Sequence, residues 1–213
     1  MNTIELLKQR HTEKWVEATR HRFIAELGDG TLDRAVFRDY FIQDYVFVVD
    51  LARFAALAIA KSPGLVEARP IHAFLSNLLG AEDALFQTAF DLLDVDPSEY
   101  HAATANDVIR EFSEFLMKVG YEGSWSEIST VLAVTEGVYL DWGQRLTSEG
   151  ASPSDELYQG WIDLHTDAVL GEFVAFLTGQ VGEMTEQVES VFLIALDFEI
   201  NFWNASYMGG ESS

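Results

Sequence analysis

The sequence predicts an all-α protein, a single-domain bundle of about seven helices that spans residues 1–213. Three observations predict this class. Apolar residues recur at spacings of three and four along most of the chain, few segments alternate as strands do, and glycine or proline stands at most breaks between the periodic segments. Helices joined by short connections are typical of a bundle whose functional site is built in its core from side chains on facing helices.

The predicted helices follow from the positions of these breaks. In chain order they cover roughly residues 3–27, 32–62, 67–94, 98–119, 125–149, 154–178 and 182–208. The breaks that separate them are Gly28 with Gly30, Ser62-Pro63-Gly64, Asp96-Pro97, Gly120 to Gly123, Gly150 to Pro153, and Gly179 to Gly182. The four prolines, which include Pro70, are expected at helix ends. No linker rich in proline or serine divides the chain, so we expect one domain.

The charge of the chain excludes some classes of partner. The 35 acidic residues outnumber the 13 lysines and arginines, which leaves a formal net charge of −22. A surface of this sign repels nucleic acid, so no nucleic-acid partner is expected. The acidic residues are spread through amphipathic helices rather than gathered in a tail. We interpret this as an acidic surface adapted to high salt, against the alternative of a merely acidic mesophile protein.

The absence of cysteine excludes disulfides, thiolate zinc sites and a cysteine nucleophile. The first residues, MNTIELLKQRHTEKW, lack the apolar stretch of a signal peptide, and no uninterrupted apolar run reaches about 18 residues. We therefore expect a cytoplasmic protein with no membrane partner.

The second predicted helix carries a carboxylate on its apolar face. Thr31 is its expected N-cap residue. From there apolar and aromatic residues recur at spacings of three and four, and Asp44 falls among them rather than on the solvent face. The position of Asp44 indicates either a buried, paired carboxylate or one that binds a ligand.

Two further carboxylates occupy similar positions on other helices. Glu82 lies among leucines and phenylalanines, and Glu199 lies between Leu196 and Phe202. A single such residue could equally be at the edge of the surface. Because an unpaired buried carboxylate is costly, three of them on separate helices favour a polar pocket inside the bundle. The fifth predicted helix adds polar side chains on one face, namely Thr135, Glu136 and Tyr139.

The five histidines predict no metal site. A di-iron site in a bundle would use Glu-x-x-His pairs, but Leu85 and Phe202 stand three residues after Glu82 and Glu199. Haem with His21 as its ligand is disfavoured, since a lone histidine is more often a capping or core residue and basic partners for propionates are scarce. We expect no cofactor.

Several motifs resemble those of the TenA family, also called thiaminase II or aminopyrimidine aminohydrolase. The motifs are GDGTL with the later YFIQDY run, YLDWGQRL from Tyr139, Tyr158 with Trp161-Ile162, and FEINFWNASY near the end of the chain. They cover most of the sequence in the family's order. The resemblance implies the haem-oxygenase-like helical bundle, a homotetramer and a small-molecule pyrimidine substrate.

The resemblance also implies a set of functional residues. Thr135 stands where the better-known branch of the family has a cysteine, four residues before Tyr139. A threonine hydroxyl is a weaker nucleophile than a thiolate, so thiaminase activity proper is doubtful and the chain resembles the cysteine-less, glutamate-type branch. That branch is associated with hydrolysis of formylaminopyrimidine or aminopyrimidine in thiamin salvage. Asp44 and Tyr139 would bind substrate together with Thr135, and Glu199 would transfer protons with Glu82 or Glu136 acting at the water.

Three aromatic positions depart from the family's commoner pattern. Phe47 and Phe112 stand where tyrosines are expected, and His165 replaces a tyrosine after Trp161-Ile162. These residues are assigned to substrate binding, although either phenylalanine could simply be part of the core. A pocket with fewer hydroxyl groups can still stack on a pyrimidine ring but must hydrogen-bond it differently.

The sequence is therefore consistent with two functions. The first is a cofactor-free hydrolase of thiamin-derived pyrimidines, in which carboxylates assist the attack of water. The second is a pyrimidine-binding or regulatory protein of the same fold without turnover. Under either function the side chains of Asp44, Glu82, Thr135, Tyr139 and Glu199 are expected to converge on one cavity.

Overall fold

The computed structural model describes the backbone of residues 2–210 and the side chains through residue 207. Within these residues every regular element is helical, which confirms the predicted all-α class. The elements are α1 (Thr3–Arg10), α2 (Thr12–Thr19), α3 (Arg22–Asp29), α4 (Arg34–Lys61), α5 (Leu65–Asn77), a π-helical turn (Leu78–Glu82), α6 (Asp83–Leu92), α7 (Pro97–Ala102), α8 (Asp107–Glu122), α9 (Trp125–Ser148), α10 (Glu156–Leu164), α11 (Ala168–Gln180) and α12 (Glu186–Gly210).

The helices are more finely divided than the periodic pattern predicts. The stretch expected as one helix over residues 3–27 forms α1, α2 and α3, and the stretch over 98–119 forms α7 and α8. Polar side chains start new helices inside these stretches. His21 accepts a hydrogen bond from the backbone N–H of Phe23, and Asn106 accepts one from Ile109. Such caps interrupt the backbone without interrupting the apolar spacing that the prediction followed.

Two local predictions are wrong. The N-cap residue of α4 is Asp33, whose carboxylate accepts from the N–H of Ala35 at 2.8 Å, rather than Thr31. The Thr31 hydroxyl instead donates to Asp29 at the end of α3. Pro70 lies inside α5 and not at a helix end. The carbonyl that loses its partner there belongs to Val66, which is 70% exposed, so water can replace the missing bond.

The chain divides into two compact units. The first comprises the residues up to Leu32 together with Trp125–Asn201, and the second comprises Asp33–Ser124 with the residues from Phe202 onward.

In the first unit α9 is the central helix, packed against α2, α10 and α11. Residues 128–135 of α9 are buried on all sides, as expected for a helix enclosed by others. The Tyr158 hydroxyl on α10 donates to the backbone oxygen of Leu32 at 2.8 Å and so connects α10 to the segment after α3.

In the second unit α4 is the central helix, packed against α5, α8 and the π-helical turn. Its buried face carries large rings, among them Phe37, Tyr40 and Phe41, with Phe54 further along. These rings fix the rotation of α4 about its axis, because turning the helix would expose them to water. That rotation determines which polar side chains of α4 are buried.

No helix among residues 2–210 combines the length and apolar character needed to cross a bilayer.

Substituting Gly143 with alanine should destabilise the protein, because α9 approaches His165 closely at this glycine. A Cβ atom on residue 143 would lie 2.6 Å from the carbonyl oxygen of His165 and 2.9 Å from its carbonyl carbon. Backbone atoms cannot move aside as a side chain can, so Gly143→Ala should lower the free energy of unfolding by about 1–3 kcal/mol. Urea denaturation followed by circular dichroism measures this change.

Gly171→Ala is the matched control, since it also lies inside a helix but has no atom within 4 Å of the added Cβ. This variant should be more stable by about 0.5–1 kcal/mol, because alanine has the higher helix propensity. Equal effects of the two substitutions would contradict the close approach at Gly143.

Candidate active site

Asp44 is buried on α4, with 5% of its surface exposed. Burial raises the pKa of its carboxyl group well above its usual range, and the nearby negative charge of Glu82 raises it further. A hydrogen bond from Tyr40, one helical turn earlier, opposes these two effects. Asp44 is therefore an acid whose charged form is disfavoured by its surroundings.

Glu82 lies at the last position of the π-helical turn, between α5 and α6. Its side chain is half-buried, and burial raises the pKa of its carboxyl group to about 7. A glutamic acid with this pKa is present in both protonation states near neutral pH, which suits a group that gives and takes protons. Turns of the π type are frequent at functional sites.

A hydrogen-bonded network beside this pair connects α4, α6 and α7. The Tyr45 hydroxyl on α4 lies 3.3 Å from a carboxylate oxygen of Asp83, and the Gln87 amide donates to the same hydroxyl at 3.3 Å. The Tyr100 hydroxyl on α7 donates to Gln87 at 2.9 Å. Since Asp83 follows Glu82 directly, the network also fixes the end of the π-helical turn.

Aromatic rings line the same part of the second unit. Phe47, one turn after Asp44, packs against Phe112 of α8 with ring centroids 4.6 Å apart. Phe202 contacts both Phe47 and Tyr40, at 5.9 and 5.4 Å. The structure thus groups four predicted residues of this unit around α4, with Asp44, Phe47 and Phe112 buried and Glu82 half-buried.

In the first unit, α9 carries the predicted Thr135, Glu136 and Tyr139. Thr135 is 3% exposed, and its hydroxyl lies 3.2 Å from the carbonyl oxygen of Leu132 and 3.3 Å from a carboxylate oxygen of Glu136. Glu136 and Tyr139 are half-buried. A hydroxyl group has one proton, so Thr135 donates to one of these two acceptors at a time.

His165 lies at the C-terminal end of α10 in a group of aromatic rings. The centroid of its ring is 4.8 Å from that of Tyr139, 5.1 Å from that of Trp142 and 4.5 Å from that of Trp161. Burial lowers its pKa to about 4, although a hydrogen bond to the Trp161 backbone acts in the opposite direction. His165 is consequently a neutral imidazole at physiological pH.

Glu199 lies on α12 and is 2% exposed. Its burial agrees with its predicted position on the apolar face of the last helix. Leu196, which lies one turn earlier on this face, is also buried.

The structure thus groups the predicted residues by unit. Asp44, Glu82, Phe47 and Phe112 lie in the second unit, and the others lie in the first. Convergence of the two groups on one cavity stays a prediction. Sequence reasoning did not assign Tyr40 or Trp142 to the site. Tyr40 had a usable signal, since it stands one turn before Asp44, but the contact of Trp142 with His165 depends on how α9 and α10 pack.

Two other features of the described chain are separate from these groups. Among residues 2–210 no three histidine or acidic side chains lie close enough to hold a metal ion. A surface depression of about 400 Å³ at the start of α4 is lined by Arg34, Arg38 and Leu92 with their neighbours, and contains none of the predicted site residues. Its arginines already bond within the protein, Arg34 to the oxygen of Leu92 and Arg38 to Glu99.

The chain is similar to known proteins over most of its length. Residues 8–209 match the profile of the TENA/THI-4/PQQC family. An aminopyrimidine aminohydrolase from Helicobacter pylori is 22% identical over 97% of this chain and 99% of its own length. An aminopyrimidine aminohydrolase from Bacillus subtilis is 21% identical over 97% of this chain and 90% of its own length.

Solved structures share the fold over nearly the whole chain. A TenA homologue from P. horikoshii OT3 superposes with a TM-score of 0.89 at 18% identity, covering 98% of this chain and all of that one. A TenA family transcription regulator from Silicibacter sp. TM1040 gives a TM-score of 0.83 at 24% identity over 95% of both chains. The fold is the haem-oxygenase-like helical bundle that the motifs predicted, and with a profile match over residues 8–209 the chain belongs to the TENA/THI-4/PQQC family.

Proposed function

We propose that this protein is a hydrolase that cleaves a C–N bond in thiamin-derived aminopyrimidines. The observation that carries the proposal is the interacting pair of carboxyl groups, Asp44 buried and Glu82 half-buried, in the unit that also holds the packed rings of Phe47 and Phe112. Relatives that match almost the full length of the chain are named aminopyrimidine aminohydrolase. The direct test is release of ammonia or formate from 5-aminomethyl- or 5-formylaminomethyl-4-amino-2-methylpyrimidine at high salt.

The proposed role of Asp44 is to hold the pyrimidine by its amidine edge. That edge offers an N–H donor from the 4-amino group and an acceptor at the neighbouring ring nitrogen. A protonated carboxyl group offers the matching acceptor and donor, and burial favours the protonated form of Asp44. The rings of Phe47 and Phe112 supply apolar surface on which the pyrimidine can stack.

The proposed reaction is attack by water. Water adds its oxygen to the substrate as the C–N bond breaks, and the departing nitrogen leaves with a proton. We assign the proton transfer to Glu199, the activation of water to Glu82 or Glu136, and the orientation of the leaving side to Tyr139. The pKa of about 7 at Glu82 supports a role in proton transfer at neutral pH. This route requires no cofactor.

Thr135 supports water attack over covalent catalysis. Its hydroxyl stands where the cysteine-containing branch of the family has its thiol, and a hydroxyl group is the weaker nucleophile. We therefore propose that the protein is of the cysteine-less, glutamate type and lacks thiaminase activity proper.

Glu199→Gln should lower turnover by about 10²–10⁴-fold, the usual contribution of a positioned proton-transfer group. Pyrimidine binding should change little, because glutamine keeps the size of the side chain. Steady-state ammonia release and calorimetric titration measure the two effects. Asp44→Asn should instead weaken pyrimidine binding. Glu186→Gln is a matched control, since Glu186 is exposed on the same helix as Glu199. Near-full activity of Glu199→Gln on every pyrimidine would make Glu199 structural.

Glu82 should make the stability of the protein fall as pH rises. The ordinary pKa of a glutamate is 4.5 and that of Glu82 is about 7, so between these values the folded state binds more protons than the unfolded state. The free energy of unfolding should therefore decrease from about pH 4.5 to about pH 7, by about 2–3 kcal/mol. Glu82→Gln should make this decrease smaller, and what is left belongs to Asp44, whose pKa is also raised by burial.

The difference between wild type and Glu82→Gln at each pH gives the contribution of Glu82 together with its effect on Asp44, whose pKa the charge of Glu82 raises. His165 acts in the opposite sense, because its pKa of about 4 makes stability fall as pH drops below about 6.5. That effect is common to both proteins and cancels in the difference. Urea denaturation across this pH range provides the values, and parallel curves would exclude Glu82 as the source.

The second candidate function is pyrimidine binding without turnover. Thr135 favours it, because replacement of a thiol by a hydroxyl group is one route by which a catalytic pocket loses activity. Binding of the aminopyrimidine by calorimetry with no release of ammonia or formate would select this function over the hydrolase.

We further propose that the protein assembles as a homotetramer in a salt-rich cytoplasm. Four large aliphatic side chains in the second unit are more than half exposed, namely Leu65, Val66, Leu79 and Leu92, and exposed apolar side chains that form a patch often mark a binding surface. Since each chain carries a net charge of −22, salt should screen the repulsion between subunits and increase the tetramer fraction. Sedimentation velocity between about 0.1 M and about 2 M salt tests this. A monomer at every concentration would refute it.

A further inference from the structure

The two ring nitrogens of His165 differ in what they bond. Nδ1 lies 2.7 Å from the carbonyl oxygen of Trp161, and a carbonyl oxygen can only accept, so Nδ1 carries the hydrogen. The other nitrogen, Nε2, is then the lone-pair acceptor of the neutral ring. Within residues 2–210 no hydrogen bond reaches Nε2.

The surroundings hold this imidazole in one orientation. His165 is 8% exposed, and the rings of Tyr139, Trp142 and Trp161 pack around it. Its backbone is fixed by the close approach of Gly143, where a Cβ atom would meet the His165 carbonyl oxygen at 2.6 Å. Nε2 is not among the fully enclosed polar atoms of residues 2–210 that lack a partner, so a donor from a ligand can reach this fixed acceptor.

The ring also stays uncharged over the physiological range. Burial lowers its pKa to about 4, so at neutral pH the histidine can accept a hydrogen bond at Nε2 but cannot donate one there. A tyrosine hydroxyl at the same place could do both. A histidine at position 165 in place of the family's tyrosine thus changes which groups of a ligand can hydrogen-bond there.

We propose that His165 selects substrates by accepting a hydrogen bond at Nε2 from the 5-aminomethyl group of the pyrimidine. This inference rests on the proposed function, which assigns the leaving side of the substrate to Tyr139, the ring beside His165. A protonated aminomethyl group has N–H donors and no lone pair, which matches an acceptor that cannot donate. The aromatic rings around His165 could also favour its positive charge through cation–π attraction.

The test compares two pyrimidines that differ in one group. The first is 5-aminomethyl-4-amino-2-methylpyrimidine, and the second is its 5-methoxymethyl analogue, whose oxygen can only accept. Wild type should bind the first about tenfold more tightly, as measured by calorimetry near pH 7. His165→Phe should reduce this preference to about twofold or less, and His165→Gln should keep most of it, because its amide oxygen can accept. His72→Gln, an exposed histidine of α5, is the control.

A preference that is unchanged in His165→Phe would overturn the inference. Nitrogen-15 NMR of the wild-type protein gives a second measurement if that variant does not fold. The Nε2 resonance should shift when the aminomethyl compound binds and stay in place with the methoxymethyl compound, and equal responses would also overturn the inference. If wild type binds neither pyrimidine, the proposed function fails as well. If it binds both equally, only the role of His165 fails.

Discussion

The burial of ionisable side chains at the centre of each unit is the constraint on which the rest of the structure depends. Moving a carboxyl group out of water disfavours its charged form, and the protein must either pair that charge or keep the group protonated. Asp44 shows both responses, since Tyr40 hydrogen-bonds it while burial and Glu82 raise its pKa. The large rings along α4 hold Asp44 in this position, because any rotation that hydrated the carboxyl group would also expose the rings.

The two units bury different kinds of ionisable side chain. In the second unit two acids lie close enough for the charge of one to raise the pKa of the other. In the first unit a base, His165, is buried among aromatic rings and kept neutral. One group therefore resists losing a proton and the other resists gaining one. In both cases burial disfavours the charged form of the side chain.

The sequence was sufficient for the fold class and for the burial of Asp44 and Glu199, because helical periodicity reports directly which residues share a face. It did not predict the breaks at His21 and Asn106, since a cap is a single local hydrogen bond that leaves the periodic pattern intact. It also missed the π-helical turn that carries Glu82, because one extra residue changes the backbone ladder but barely changes the apolar spacing. The contact of Trp142 with His165 depends on packing between helices and has no signal in either helix alone.

The π-helical turn also makes the arrangement of α5, Glu82 and α6 sensitive to insertions and deletions. Each residue accounts for about 100° of rotation in an α-helix, so a deletion of one codon near Gly80 would let residues 65–92 wind as one continuous helix. The part before the deletion would then be rotated by about a quarter of a turn relative to the part after it. Glu82 lies on the α6 side of Gly80, so it could stay beside Asp44 only if α5 turned about its axis and moved its buried Ile71. Insertions and deletions, rather than substitutions alone, can therefore change whether the second carboxyl group lies beside Asp44.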